Sequence, residues 1–273
     1  MLLASHRHPH HPARTHQKPP PTTTTSTETT LPGSLLLTVP RSAWLSSTAA
    51  RTTSGVAPVL AARGEAVEAY CQPGSLWTVV LAVEHERHNA SSHWRPYIDA
   101  LPDPTSPVLW SESQLVPLES PTLAAEVRDL QSHINETYQR LVVPLFDKHP
   151  TVFNKGVNTL ASFTWSTLTV WGRVFDLSRW NSTTKENGLM PLMDFANHRF
   201  RAKTPTSWDD TVFDFESDAV HGPGEELFIS CVFLVKSPNF YFTPPFCFVE
   251  SDPHDASVNI PFIVKIRRGN GRR

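Results

Sequence analysis

Cysteine is scarce. The chain has only Cys71, Cys231 and Cys247, an odd number with no paired spacing. That fits neither a secreted disulfide framework nor a zinc site, and it favours a reducing compartment. The Asn-X-Ser/Thr sequons at Asn89, Asn135 and Asn181 are then chance matches. Net charge is nearly balanced at −2, so no global basic field recruits nucleic acid. No apolar run reaches the length of a membrane span, and no membrane association is expected. Glycine-rich phosphate loops, a Gly-x-Ser-x-Gly elbow and a His-Glu-x-x-His zinc helix are all missing. These gaps exclude the commonest nucleotide, hydrolase and metalloprotease chemistries.

What remains is 273 residues with 39% hydrophobic content, enough for one sizeable core. Residues 1–31 stand apart. Histidine-proline, proline and threonine runs cannot bury enough apolar surface to fold, so this segment is expected to be disordered and of low complexity. Leu35 to Val39 is a short β-type run closed by Pro40. Leu76, Val79, Val80 and Val83 mark one face of a helix ending near Arg87. Ser120 and Pro121 are suited to the N-cap and first position of another helix, lined by Leu123, Val127, Leu130, Ile134 and Leu141. A third helix is expected from about Val157 to Phe175, with Leu160, Phe163, Leu168 and Trp171 apolar. After Asn181 the pattern turns to β. Thr211 to Glu216 and Glu225 to Ser230 are strands around a Gly222-Pro223-Gly224 turn. Strand, helical block, then strands implies an α+β fold in which a helical insertion splits a small β domain.

Three stretches carry possible chemistry: Gly188-Leu189-Met190-Pro191-Leu192-Met193-Asp194-Phe195-Ala196-Asn197-His198, Gly224 to Ser230, and Cys247 to Glu250 followed by Asp252-Pro253-His254-Asp255. Asp194, Asn197 and His198 suit a metal, a polar network or a nucleotide, and a lone Asn-His pair is more often a hydrogen-bonded corner. As zinc ligands they lack a third soft donor at standard spacing, so no metal is expected. Order changes their weight. With Leu36-Leu37-Thr38-Val39-Pro40 upstream, and Glu86-Arg87 leading through Ser92-His93-Trp94-Arg95-Pro96-Tyr97-Ile98 to Leu101-Pro102, the series resembles the split-SET methyltransferases. That group includes the Rubisco large-subunit lysine methyltransferase. Lys236-Ser237-Pro238-Asn239 and Asp252-Pro253-His254-Asp255 extend the match to roughly residues 32–263.

The resemblance implies small SET-type β-sheets split by a helical insertion. It implies N-terminal SET strands over 32–60, an insertion over 61–165 and a second SET half over 166–255. Residues 256–273 would be a basic tail or the truncated start of a C-terminal helical lobe that is otherwise largely absent. The implied cofactor is S-adenosyl-L-methionine, the acceptor a lysine side chain of a partner protein, and the protein a monomer. Arg173 falls where the family binds the cofactor's carboxylate, although the same residue also suits a helix-surface ion pair. Asp194 falls at the methionine portion, and Asn197 and His198 at the adenosine. Glu226 is expected to support the fold.

Two departures stand out. The family's first Gly-x-Gly cofactor segment is replaced by Lys18-Pro19-Pro20-Pro21-Thr22. The channel tyrosine is Cys231, whose thiol is a poorer hydrogen-bond partner than a phenol. The later tyrosine is Phe246, its following glycine is Cys247, and Tyr241 is the candidate substitute. The alternative is therefore a catalytically inactive SET-like protein-binding module. The compartment stays open among cytoplasm, nucleus and chloroplast.

Overall fold

The computed structural model describes residues 24–116, 121–178, 185–199, 202, 206–217 and 219–229. Ser120, residues 1–23 and everything from 230 onward, including Cys231, Tyr241, Phe246 and Cys247, lie outside the described residues.

The first strand, β1 (Leu35–Pro40), ends where Pro40 cannot continue a ladder. A single 3-10 turn leads to the short β2 (Leu45–Ser46). A helical block follows: α1 (Ser47–Thr52), α2 (Ala57–Ala61), α3 (Glu65–Tyr70), α4 (Leu76–His88), α5 (Arg95–Ala100), α6 (Glu112–Leu115), α7 (Pro121–Thr137), α8 (Val143–Lys148) and α9 (Leu160–Arg173). The chain then returns to β structure with β3 (Phe175–Asp176), β4 (Asn187–Leu189), β5 (Asn197–His198), β6 (Thr206–Trp208), β7 (Val212–Glu216) and β8 (Phe228–Ile229). The expected α+β architecture is therefore present. The three long helices lie where periodicity put them, within a few residues at each end.

The strands form three small sheets, ordered β1-β7-β6, β2-β4-β3 and β5-β8. In the first two, strands from before and after the insertion pair antiparallel, so the insertion leaves and re-enters one β layer. Strand β7 alternates: Phe213 and Phe215 are buried, and Val212, Asp214 and Glu216 are partly open. The two phenylalanines join Val39, Trp44, Phe175, Met190, Met193, Leu227 and Ile229 in a compact β-layer core. Strand β4 sits between two partners, and at Gly188 a Cβ would lie 2.8 Å from Ser46 Cα and 3.0 Å from Leu177 Cδ1. Only glycine lets these strands close up there.

A second core fills the helical block. Helix α4 is buried from Thr78 through Glu84, so it is wrapped by neighbours instead of presenting a single stripe. Helix α7 runs through a π-helical turn, Tyr138–Val142, into α8. Pro144 stands in the first turn of α8, and its missing N–H breaks the regular ladder that the wider turn bridges. Cys71 is a free thiol in this core, and burial pushes it up to about 12, far from a reactive thiolate.

One expectation needs correction. Residues 24–31 fall in the segment expected to be disordered, but residues 24–30 carry backbone pairing. Ser26 and Thr30 donate to the carbonyls of Glu225 and His221, and Leu227 donates to Thr24. Threonines read as low complexity in one dimension form β-bridges once a distant partner, residues 221–227, is present. Strand β8 is also shorter than expected, with Glu226 in an isolated bridge and Ser230 outside the described residues.

Candidate functional site

The run from Met190 to His198 changes direction sharply. Met190 and Met193 are buried in the β-layer core, while Leu192 between them is 57% exposed. To place both methionines inward, Leu192 adopts φ 72°, ψ −34°. A leucine in the left-handed region is strained by about 1–3 kcal/mol. The strain sits one residue from a 3-10 turn over Met193–Phe195, and that turn buries the Asp194 side chain completely.

Asp194 is held from two directions. Arg173, the last residue of α9, donates Nη1 to the Asp194 carbonyl at 2.8 Å and to Oδ2 at 3.2 Å. A cation at that position also complements the C-terminal end of the helix dipole. Tyr97, from α5, donates its hydroxyl to the same Oδ2 at 2.7 Å. Oδ1 is buried with no hydrogen-bond partner. Phe195 completes the cluster, with the Arg173 guanidinium 5.4 Å above its ring and the Tyr97 ring edge-on at 6.4 Å. Burial pushes the Asp194 carboxyl above its ordinary value, while the Arg173 charge and the Tyr97 hydrogen bond pull it back. Burial and the neighbouring Asp194 charge push the Tyr97 phenol well above 10.

Asn197 opens β5, exposed, and its amide donates to Glu226 Oε1. Strand β5 runs parallel to β8, with Asn197 opposite Phe228 and His198 opposite Ile229. Arg199 extends the pairing by donating its N–H to Ile229, and its guanidinium lies 3.6 Å over the Phe228 ring. Of the residues singled out from sequence, Arg173 and Asp194 are in direct contact. Asn197 is tied instead to Glu226 across the β5–β8 pair. The backbone of His198 belongs to β5, and Cys231 lies outside the described residues. Among the described residues, no group of three or more metal-type side chains converges.

In the sequence Tyr97 stands only as part of the Trp94-to-Ile98 motif. Its partnership with Asp194 spans 97 residues of sequence, and no local pattern announces such a contact.

The arrangement suits a zwitterionic ligand. Both Asp194 contacts use only Nη1 of the guanidinium fork, whose planar donors match a carboxylate. A buried carboxylate with an unpartnered oxygen suits an ammonium. S-adenosylmethionine ends in a carboxylate and an ammonium, charges that Arg173 and Asp194 complement in sign, and the Asp194 side chain itself is enclosed.

Comparison with known proteins bears on the fold. No protein-family model matches the chain. The chloroplastic [fructose-bisphosphate aldolase]-lysine N-methyltransferase of Arabidopsis thaliana is 24% identical over 231 residues, covering 80% of this chain and 44% of that protein. The human N-lysine methyltransferase SETD6 is 32% identical over 139 residues, covering 49% of this chain and 28% of that protein. Among solved structures, Rubisco LSMT bound to sinefungin and monomethyllysine superposes with a TM-score of 0.60 at 20% identity, over 76% of this chain and 44% of that one. The SET domain of LSMT bound to lysine and AdoHcy gives 0.58 at 19% identity, over 76% of this chain and 46% of that one. The chain thus spans less than half the length of these relatives. The fold is that of a SET domain split by a helical insertion. Within that class, the chain is similar in sequence to the aldolase-lysine methyltransferase of Arabidopsis thaliana and, over about half its length, to SETD6.

Proposed function

We propose that this protein is an S-adenosylmethionine-dependent protein-lysine N-methyltransferase. The observation that carries the reading is the Arg173–Asp194 pair, both residues within the second SET half, on a fold shared with lysine methyltransferases. The reading keeps the SET halves at 32–60 and 166–255 on either side of an insertion at 61–165. Arg173 is proposed to hold the cofactor's carboxylate and Asp194 its ammonium, with Asn197 and His198 beside the adenosine. When bound, the cofactor supplies an electrophilic methyl on a sulfonium. The chain's own part is positioning: in-line transfer needs an acceptor nitrogen held without its proton, and alignment supplies much of the rate. The proposed partner is a lysine-bearing protein, the proposed state a monomer, and no metal is involved.

A second reading, an inactive SET-like binding module, is favoured by one feature, Cys231 where the family has its channel tyrosine. Calorimetry with S-adenosylmethionine tests the first reading. Micromolar uptake supports it, and no heat at millimolar cofactor removes it. Cys231→Tyr separates the two readings. The variant should raise labelling of a lysine-containing protein pool if the channel works, and leave the pool unlabelled if the module is inactive.

A further inference from the structure

The inference rests on the cofactor-site reading above and deepens it. The two oxygens of the Asp194 carboxylate have different surroundings. Oδ2 receives the Tyr97 hydroxyl at 2.7 Å and Arg173 Nη1 at 3.2 Å, and Oδ1 receives no hydrogen bond. A carboxylate turns easily about its last torsion, which is broad and two-fold. Arg173 alone does not prevent that turn, because its shorter bond goes to the Asp194 main-chain carbonyl. The short bond from Tyr97 does prevent it. The Tyr97 ring cannot follow a turning carboxylate, because it lies edge-on against Phe195 and packs on the helical core.

We propose that Tyr97, carried in from the helical insertion, is a positioning residue for the cofactor site: its hydroxyl fixes the Asp194 carboxylate with Oδ2 toward Arg173 and Oδ1 as the remaining acceptor. Phenylalanine would fill the same ring volume without the donor. The insertion then sets how the second SET half presents its acidic group.

The charged and titratable groups facing the carboxyl are Arg173 from α9 and Tyr97 from α5. The Tyr97 phenol, raised well above its ordinary value, keeps its proton on acidification, so the carboxyl is the group followed. Its proton affinity is raised by burial and lowered by Arg173 and by the Tyr97 hydrogen bond. A raised carboxyl destabilises the fold above its folded pKa, and that cost fades as pH falls through it. Tyr97→Phe removes one stabiliser of the ionised form and moves the protonation to higher pH.

The test uses the full chain with Tyr97→Phe, Asp194→Asn and the double variant. In the first arm, without ligand, thermal midpoints are measured from pH 7.5 to 4.5. The gap between wild type and Tyr97→Phe should be widest at neutral pH and should narrow on acidification. In the Asp194→Asn background the gap should be constant with pH. A gap that ignores pH in the wild-type background, or that keeps its pH dependence in Asp194→Asn, makes Tyr97 a packing residue and overturns the proposal. In the second arm, calorimetry at neutral pH with S-adenosylhomocysteine should show Tyr97→Phe binding on the order of tenfold more weakly. Equal affinity also overturns it. If wild type takes up no S-adenosylhomocysteine, the cofactor reading fails, while the first arm still decides whether Tyr97 locks Asp194.

Discussion

Arg173 is the residue on which the proposed site turns. Its planar fork makes two bonds through one nitrogen, and lysine has only a point charge to offer in its place. Arg173→Lys should therefore weaken S-adenosylhomocysteine binding by roughly 10- to 100-fold, the range for a lost charge-assisted hydrogen bond, with a small loss of thermal stability. Calorimetry beside a melting curve checks both. Arg173→Ala should also lower the melting temperature clearly, because it strips the buried Asp194 carboxylate of its only charged partner among the described residues. Leu192 allows a test of strain. Glycine adopts φ 72° at little steric cost, so Leu192→Gly should keep or raise the melting temperature despite the loss of an apolar side chain that is mostly in solvent. A drop of several degrees would show that the leucine packs against something the turn needs.

At the scale of elements, the seam between α4 and α9 is fastened by a buried acid. Glu84 is fully buried on α4, and it accepts from Asn158 Nδ2 at 3.0 Å, Ser162 Oγ at 3.0 Å and Ser166 Oγ at 2.7 Å. His88, one turn on, lies 2.7 Å from Ser162 Oγ through Nε2. Burial raises the Glu84 carboxyl above its ordinary value, and the three donors only partly offset that. The sign follows: the ionised acid costs stability above its raised folded pKa, and that cost is relieved as pH falls through it. Glu84→Gln should therefore flatten the rise in stability between neutral and mildly acid pH, and urea unfolding at several pH values reads this directly. Ser166→Ala, which leaves the carboxylate short of a donor, should cost about 1–3 kcal/mol at neutral pH. The stake is functional as well as structural, because α9 ends in Arg173. An α4–α9 seam that slips moves the guanidinium relative to Asp194.

For the whole molecule, the legible and illegible parts divide by sequence distance. Helices α7 and α9 are readable because their apolar spacing repeats locally, α4 because it is one long apolar run of helical length, and β7 because Phe213 and Phe215 alternate. Arg173 and Asp194 were readable through motif order. Strands β2 to β4 were not, since a strand of two or three residues carries no period, and only Gly188 between Ser46 and Leu177 reveals their closeness. Tyr97 was hidden for the same reason, and so was the pairing of residues 24–30 with residues 221–227. That pairing makes the final prediction, because it ties the beginning of the described chain to the segment leading into β8, and β8 in turn holds the β5 strand of Asn197 and His198. Ser26→Pro removes the N–H that bonds to Glu225 and cannot restore it. In hydrogen exchange, the amides of Leu227 and Phe228 should lose protection, while those of α4 and α9 stay slow, because the β layer and the helical block have separate cores. If α4 loosens to the same degree, the two layers unfold as one unit and the strap stabilises the whole chain. If neither changes, residues 24–30 lie on the β layer without supporting it, and the adenosine side of the proposed site stands on β5 and β8 alone.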